Sequence, residues 1–171
     1  MKRLGYFLAA LLSAAAFTSC DYFYSLDIEN QYDEGIYVWS AGTGLKTGKD
    51  DPETLDELDS KWYLNYVEPG KMGSFADIMG GRRVNAQRVL DSVFGDSEVL
   101  MVAIFDAKTL NENWGQGKMS DYVIQRYWLR KEDVIEDDGK TYKKISFPPN
   151  EEMKSVEMEP PFGTYRQVSG E

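Results

Sequence analysis

The sequence predicts a mainly β domain, an Ig-like-sized β-sandwich of six to seven strands carrying one amphipathic helix. Short runs of alternating apolar and polar residues recur along the chain, separated by Gly-, Pro- and Asn-containing turns. A seven-residue apolar run from Val99 to Phe105 has the length of a strand buried on both faces. One stretch, 86–94, carries helical spacing. A single antiparallel sheet with that helix on one face (α+β) is the alternative arrangement.

The elements follow in order. "LDIEN" alternates Leu26 and Ile28 against Asp27 and Glu29, and "GIYVWS" alternates Ile36 and Val38 against Tyr37 and Trp39. Both are period-two strands. Residues 41–60 break the pattern with Gly and Thr and then a dense run of acids, so a long surface loop is expected, with a helical turn at Glu53 to Leu58. "KWYLNYV" is read as a strand with Trp62, Leu64 and Tyr66 on one face. "EPGK" then forms a turn, with Pro69 presetting φ and Gly70 accepting a positive φ. "MGSFADIM" is read as the return strand of a hairpin. Ala86, Val89, Leu90, Val93 and Phe94 share one face of a helix that Asn85 can cap and Gly95 can end.

After the apolar strand, "DAKTLNENWGQGK" is a connection with one helical turn capped by Asp106. "DYVIQRYWL" is a strand and "RKEDVIED" a polar helical turn. Asp138-Gly139 marks a tight turn, and "KTYKKISF" is a last, lysine-bearing edge strand. Residues 149–171 are acidic and sparse in apolar residues, which predicts a mobile tail.

The N-terminus has its own chemistry. Lys2 and Arg3 precede an uncharged run of 14 residues, Leu4 to Phe17. A membrane-spanning helix needs roughly 20 apolar residues, so this run is the core of a signal peptide. It ends at "FTSC", which resembles the lipobox of bacterial lipoproteins. That resemblance implies a signal peptide at 1–19, lipidation of Cys20, and a spacer at 20–25 whose rings Tyr22, Phe23 and Tyr24 suit the headgroup level. It leaves a β-rich domain at 26–148 and the tail at 149–171. A chain with several acyl groups on one residue stays attached to a membrane.

Composition excludes several classes. From Cys20 onward, 17 basic residues face 29 acidic ones, a net charge of −12. Such a surface does not suit nucleic acid, where affinity comes from Lys and Arg on phosphates. There is no histidine, and Cys20 is the only cysteine. Ser-His-Asp and Cys-His catalysis and His-ligated zinc or iron are thereby excluded. No cofactor is expected. Glycosidase chemistry needs two carboxylates at a set separation, and among 29 acids nothing singles out a pair. The expectation is a non-enzyme.

Two sites stand out. Trp114 lies in the Gly- and Asn-rich stretch "LNENWGQG", where an exposed indole would contact a ligand such as a glycan ring. Core packing is the ordinary role of an aromatic residue, and Trp39, Trp62 and Trp128 are assigned to it because they sit in strand patterns. Asp50, Asp51, Glu53 and Asp56 supply oxygen ligands of the kind calcium takes, without the spaced order of a defined calcium loop. A solvated acidic surface explains them equally.

A series of motifs completes the reading. Asn30, Tyr37-Val38-Trp39, "DPETL" at 51–55, "VEPGK" at 67–71, "VAIFDAKTL" at 102–110, Trp114, "YVIQRYWLRKEDV" at 122–134 and "ISFP" at 145–148 follow one another. In this layout the chain resembles small uncharacterised lipoproteins of Bacteroides-type Gram-negative bacteria. The resemblance spans residues 26–148 and implies no activity. The function expected is a lipid-anchored envelope lipoprotein, most readily of the outer membrane, with a non-catalytic binding or structural role toward an envelope protein. A carbohydrate-binding module and a calcium-dependent adhesion domain are the alternatives.

Overall fold

The computed structural model describes residues 22–41, 56, 61–80, 85–136 and 138–166. The described residues form eight strands: β1 (Tyr22–Asn30), β2 (Ile36–Ser40), β3 (Asn65–Val67), β4 (Met72–Gly80), β5 (Leu100–Asp106), β6 (Val123–Leu129), β7 (Ile145–Phe147) and β8 (Glu157–Glu159). Three α-helices accompany them: α1 (Ala86–Phe94), α2 (Ala107–Glu112) and α3 (Lys131–Val134). Lys61–Tyr63, Met119–Tyr122 and Glu151–Met153 are 3-10 turns.

The expected Ig-like-sized sandwich with one helix is corrected. The strands form two separate sheets, ordered β4-β1-β7 and β3-β2-β5-β6-β8, and neither closes into a sandwich or barrel. The single antiparallel sheet with one helix on its face is overturned by the same finding. In addition, β7 runs parallel to β1, with Ile28 opposite Ile145 and Asn30 opposite Phe147.

The physical reason lies at the turn 68–71. Gly70 takes the expected positive φ of 67°, and Lys71 N–H donates to Glu68 C=O at 3.1 Å. Yet the strands it joins do not pair. β3 lies on β2 with Tyr66 opposite Tyr37, while β4 lies on β1 with Ile78 opposite Tyr24. The turn carries the chain from one sheet to the other. Asn30 fixes the crossing. Its side chain is fully buried, its Nδ2 donates to Glu34 C=O at 2.9 Å and Val67 C=O at 3.0 Å, and its Oδ1 accepts from Tyr32 N–H at 3.0 Å. A Cβ on Gly73 would overlap the Val67 side chain, so the close approach of β3 and β4 requires glycine there.

Several elements match their sequence pattern. α1 buries Val89, Leu90, Val93 and Phe94, is capped by Asn85 Oδ1 accepting from Arg88 N–H at 2.9 Å, and ends at Gly95 with φ 56°. β5 is the middle strand of five, and Leu100 to Phe105 are buried throughout. Asp106 caps α2 by accepting from Thr109 N–H at 2.7 Å. Asp138 Oδ1 accepts from Lys140 N–H and Thr141 N–H in the predicted turn.

Other expectations are corrected. The predicted spacer is already strand from Tyr22, paired to Gly80. Lys61–Tyr63 is a 3-10 turn, after which Leu64 is buried and Tyr66 is 54 % exposed, so the two do not share a face. The tail is not free over residues 149–166. Met153 and Val156 are buried, and β8 pairs with β6 through Arg126–Glu159, Tyr127–Met158 and Trp128–Glu157. Gln125 Nε2 donates to Pro160 C=O at 2.7 Å, and Arg166 N–H donates to Ile124 C=O at 2.9 Å.

One core cluster draws on both sheets, with Leu26, Ile28 and Phe75 from the smaller and Ile36, Val38, Ile104 and Tyr127 from the larger. The Tyr127 hydroxyl donates to Ser146 C=O at 2.9 Å, a second buried link between the sheets. Residues of alternate parity in the larger sheet, Trp39, Met101, Ala103 and Phe105, build a second cluster with Leu110 and Met119.

Candidate functional site

Trp114 follows α2 by two residues. Asn113 extends the helix end by donating from Nδ2 to Thr109 C=O at 2.8 Å, and Gly115 turns the chain with φ 77°. The indole is half-buried against the second cluster, and Lys61 Nζ stands over the ring, 5.0 Å from its centroid. Lys61 Nζ also donates to Asn111 Oδ1 at 2.7 Å, and the Tyr37 hydroxyl reaches the same oxygen at 3.2 Å. Tyr37 packs against Tyr66 at 5.3 Å between ring centroids, tilted by 57°. A glycan ring stacking on Trp114 would compete with the Lys61 ammonium for that face. The exposed aromatic surface here belongs to Tyr63 and Tyr66, at 62 % and 54 %.

Of the four acids proposed for calcium, Asp50, Asp51 and Glu53 lie outside the described residues, as does Cys20. Asp56 is described and is already engaged. Its Oδ1 accepts from Ser120 N–H at 2.9 Å, its Oδ2 accepts from Ser120 Oγ at 3.2 Å, and Lys118 Nζ lies 3.9 Å from Oδ2. These contacts fasten Asp56 to the 3-10 turn before β6. Among the described residues, no cluster of three or more His, Cys, Asp or Glu side chains could hold a metal ion.

A third location escaped the sequence reading. Trp128, assigned to the core, is only partly buried and forms a wall of a cleft of about 310 Å³. The other walls are Arg130, Glu132 and Asp133 at the start of α3, and Ser155 and Glu157 from the returning C-terminal segment. A second cleft of about 490 Å³ shares Arg130 and Glu132 and continues over Asp96, Ser97, Glu98 and Val99. Arg130 N–H donates to Asp133 Oδ2 at 2.8 Å, which fixes the helix start. Lys131 is held by Asp91 at 2.7 Å. The Trp128 Nε1 atom is buried, and no acceptor among the described residues reaches it. Period two places Trp128 on the face opposite Tyr127, but the cleft needs β8 and the Ser155 segment, where composition alone predicts a tail.

The resolved pKa shifts move away from neutrality. Hydrogen bonding from Lys131, then Gln87, holds the Asp91 carboxyl below its usual range. Backbone N–H groups of Lys140 and Thr141 do the same for Asp138. Burial pushes Tyr127 well above the ordinary tyrosine value and raises Tyr32 and Tyr142.

Comparison with family models, with curated proteins and with solved structures finds no match.

Proposed function

We propose that this chain is a lipoprotein of a bacterial cell envelope, lipid-anchored in the outer membrane, whose domain binds a partner protein without catalysis. The anchor rests on the Lys2-Arg3 start, the short apolar run and the "FTSC" lipobox. The bacterial setting rests on the motif series at 26–148. The observation that carries the binding role is the exposure of Tyr63 and Tyr66, both more than half exposed and three residues apart, with Tyr66 packed on Tyr37, whose hydroxyl shares Asn111 Oδ1 with Lys61. Tyrosines with a polar rim are the composition of protein-contact hot spots. Tyr66 is backed by the Tyr37 ring, and the Lys61–Asn111–Tyr37 hydrogen bonds hold the rim, so little side-chain freedom is lost on docking.

The test is crosslinking of the full-length tagged protein in its own envelope, read by mass spectrometry, for the native chain and for Tyr63→Ala/Tyr66→Ala. A near-stoichiometric partner that the double variant loses supports the reading. A partner retained in full by the double variant removes this surface from it, and recovery of no partner protein from either chain overturns the protein-binding role.

A further inference from the structure

We propose that residues 157–166 are a strap that opens and closes over the edge of β6 while the rest of the domain stays folded. Its residues are not those of the Tyr63–Tyr66 surface, so either reading can fail without the other.

Burial divides the C-terminal segment in two. Up to Val156 the chain is anchored. Met153 and Val156 are buried, Met153 Sδ accepts from Ser146 N–H at 3.2 Å, and Val156 N–H donates to Met153 C=O at 3.0 Å. From Glu157 to Arg166 no residue is buried. This second half is held by the short ladder of β8 on β6, by Gln125 Nε2 donating to Pro160 C=O, and by Arg166 N–H donating to Ile124 C=O. A solvent-facing ion pair, Arg126–Glu159 at 3.1 Å, lies across the ladder. Half-buried Met158 packs on the main core cluster. The half-buried ring of Tyr165 clasps Tyr32 and Phe147, edge-on at 5.6 and 5.5 Å between centroids.

These holds are weak ones. Backbone bonds at a sheet edge exchange for bonds to water with little net loss. An exposed ion pair contributes little. Segments that bury few apolar side chains open at lower free energy than the core. Gln125 lowers that free energy further. Its side chain is fully buried, Nε2 is engaged by Pro160, and Oε1 finds no partner among the described residues. A buried acceptor without a donor destabilises the closed state. Release of Pro160 admits water to the carboxamide, so the step that breaks the Nε2 bond also satisfies Oε1.

Opening changes what the molecule presents. β6 becomes the edge of the larger sheet, and Glu157 leaves the wall it forms beside Trp128. The Trp128 cleft is therefore complete only while the strap is shut. A free edge is a template to which another chain's strand can add, and the closed strap denies it.

The experiment is hydrogen–deuterium exchange read by mass spectrometry on the full-length protein in detergent, comparing segment 157–166 with β5. The strap amides should be protected, yet exchange roughly a hundredfold faster than those of β5. Urea below the unfolding midpoint should speed β5 and leave the strap nearly unchanged, because local opening exposes little surface. Tyr165→Ala should speed the strap about tenfold and β5 less than about twofold. A strap that exchanges with the rate and urea dependence of β5 overturns the proposal. So does one with no protection at all, or a Tyr165→Ala chain in which strap and β5 accelerate equally.

Discussion

Replacing Asn30 by alanine should loosen the joint between the two sheets. The side chain is fully buried and serves three backbone groups: the carbonyls of Val67 and Glu34 and the N–H of Tyr32. Alanine removes all three partners at once. The Val67 carbonyl is the buried one, and an orphaned buried acceptor costs about 1–3 kcal/mol. The other two bonds are part-buried, water can replace much of them, and together they add about 1 kcal/mol. The expected loss is therefore about 3 kcal/mol, which lowers Tm by roughly 6–12 °C in a chain of this size. Urea unfolding followed by tryptophan fluorescence and by far-ultraviolet circular dichroism measures it. A loss below about 1 kcal/mol would refute the view that Asn30 holds the crossing. Asn30→Asp adds a signed check. A carboxylate facing two carbonyl oxygens has its pKa raised above the unfolded value near ~3.9. The aspartate variant should therefore be most stable in acid and lose stability as the pH rises through that raised value.

Other consequences can be checked in parallel. Tyr127→Phe should cost about 1–2 kcal/mol by leaving the Ser146 carbonyl without its donor, and an unchanged urea midpoint would exclude that link. Because the folded Tyr127 is pushed well above 10.0, its contribution is complete below that pH and is lost as the pH rises toward the folded value. Ultraviolet titration should accordingly show this tyrosine ionising only together with alkaline unfolding. Deleting residues 149–171 removes two buried apolar side chains, Met153 and Val156, worth roughly 3–6 kcal/mol together. The shortened chain should melt at least ~6 °C lower, and an unaltered melt would return this segment to the status of a tail. Cys20→Ala should move the protein from the membrane to the soluble fraction, and continued membrane retention would contradict the lipid anchor.

What the sequence disclosed was local. α1 was legible with both ends because spacing, the Asn85 cap and the Gly95 stop all act within a dozen residues. β5 was legible because only a central strand of that length is apolar on both faces. The turn at 68–71 was also legible, but a turn does not decide which strands pair. That choice rests on Asn30, some forty residues earlier, and on the room Gly73 leaves for Val67. The tail was misread because three apolar residues, Met153, Val156 and Met158, are diluted among acids and prolines, while much of its attachment is backbone hydrogen bonding that composition does not reveal. The Trp128 cleft shared that fate, since its far wall is made by this same segment. Trp114 was correctly placed in a Gly-rich connection, but no pattern signals that Lys61 covers its ring.

The early start of β1 sets the reach of the whole molecule. Tyr22 is already paired with Gly80, so only Asp21 separates the first sheet residue from Cys20. Two extended residues span about 7 Å. A domain of this size has a radius of gyration of about 15 Å. With Cys20 acylated, the three-stranded sheet would begin at the headgroups, and the leash would be far shorter than the body it holds. A protein so held would search in two dimensions. It would meet partners that share its membrane surface within a few nanometres, and it would not bridge to another layer of the envelope.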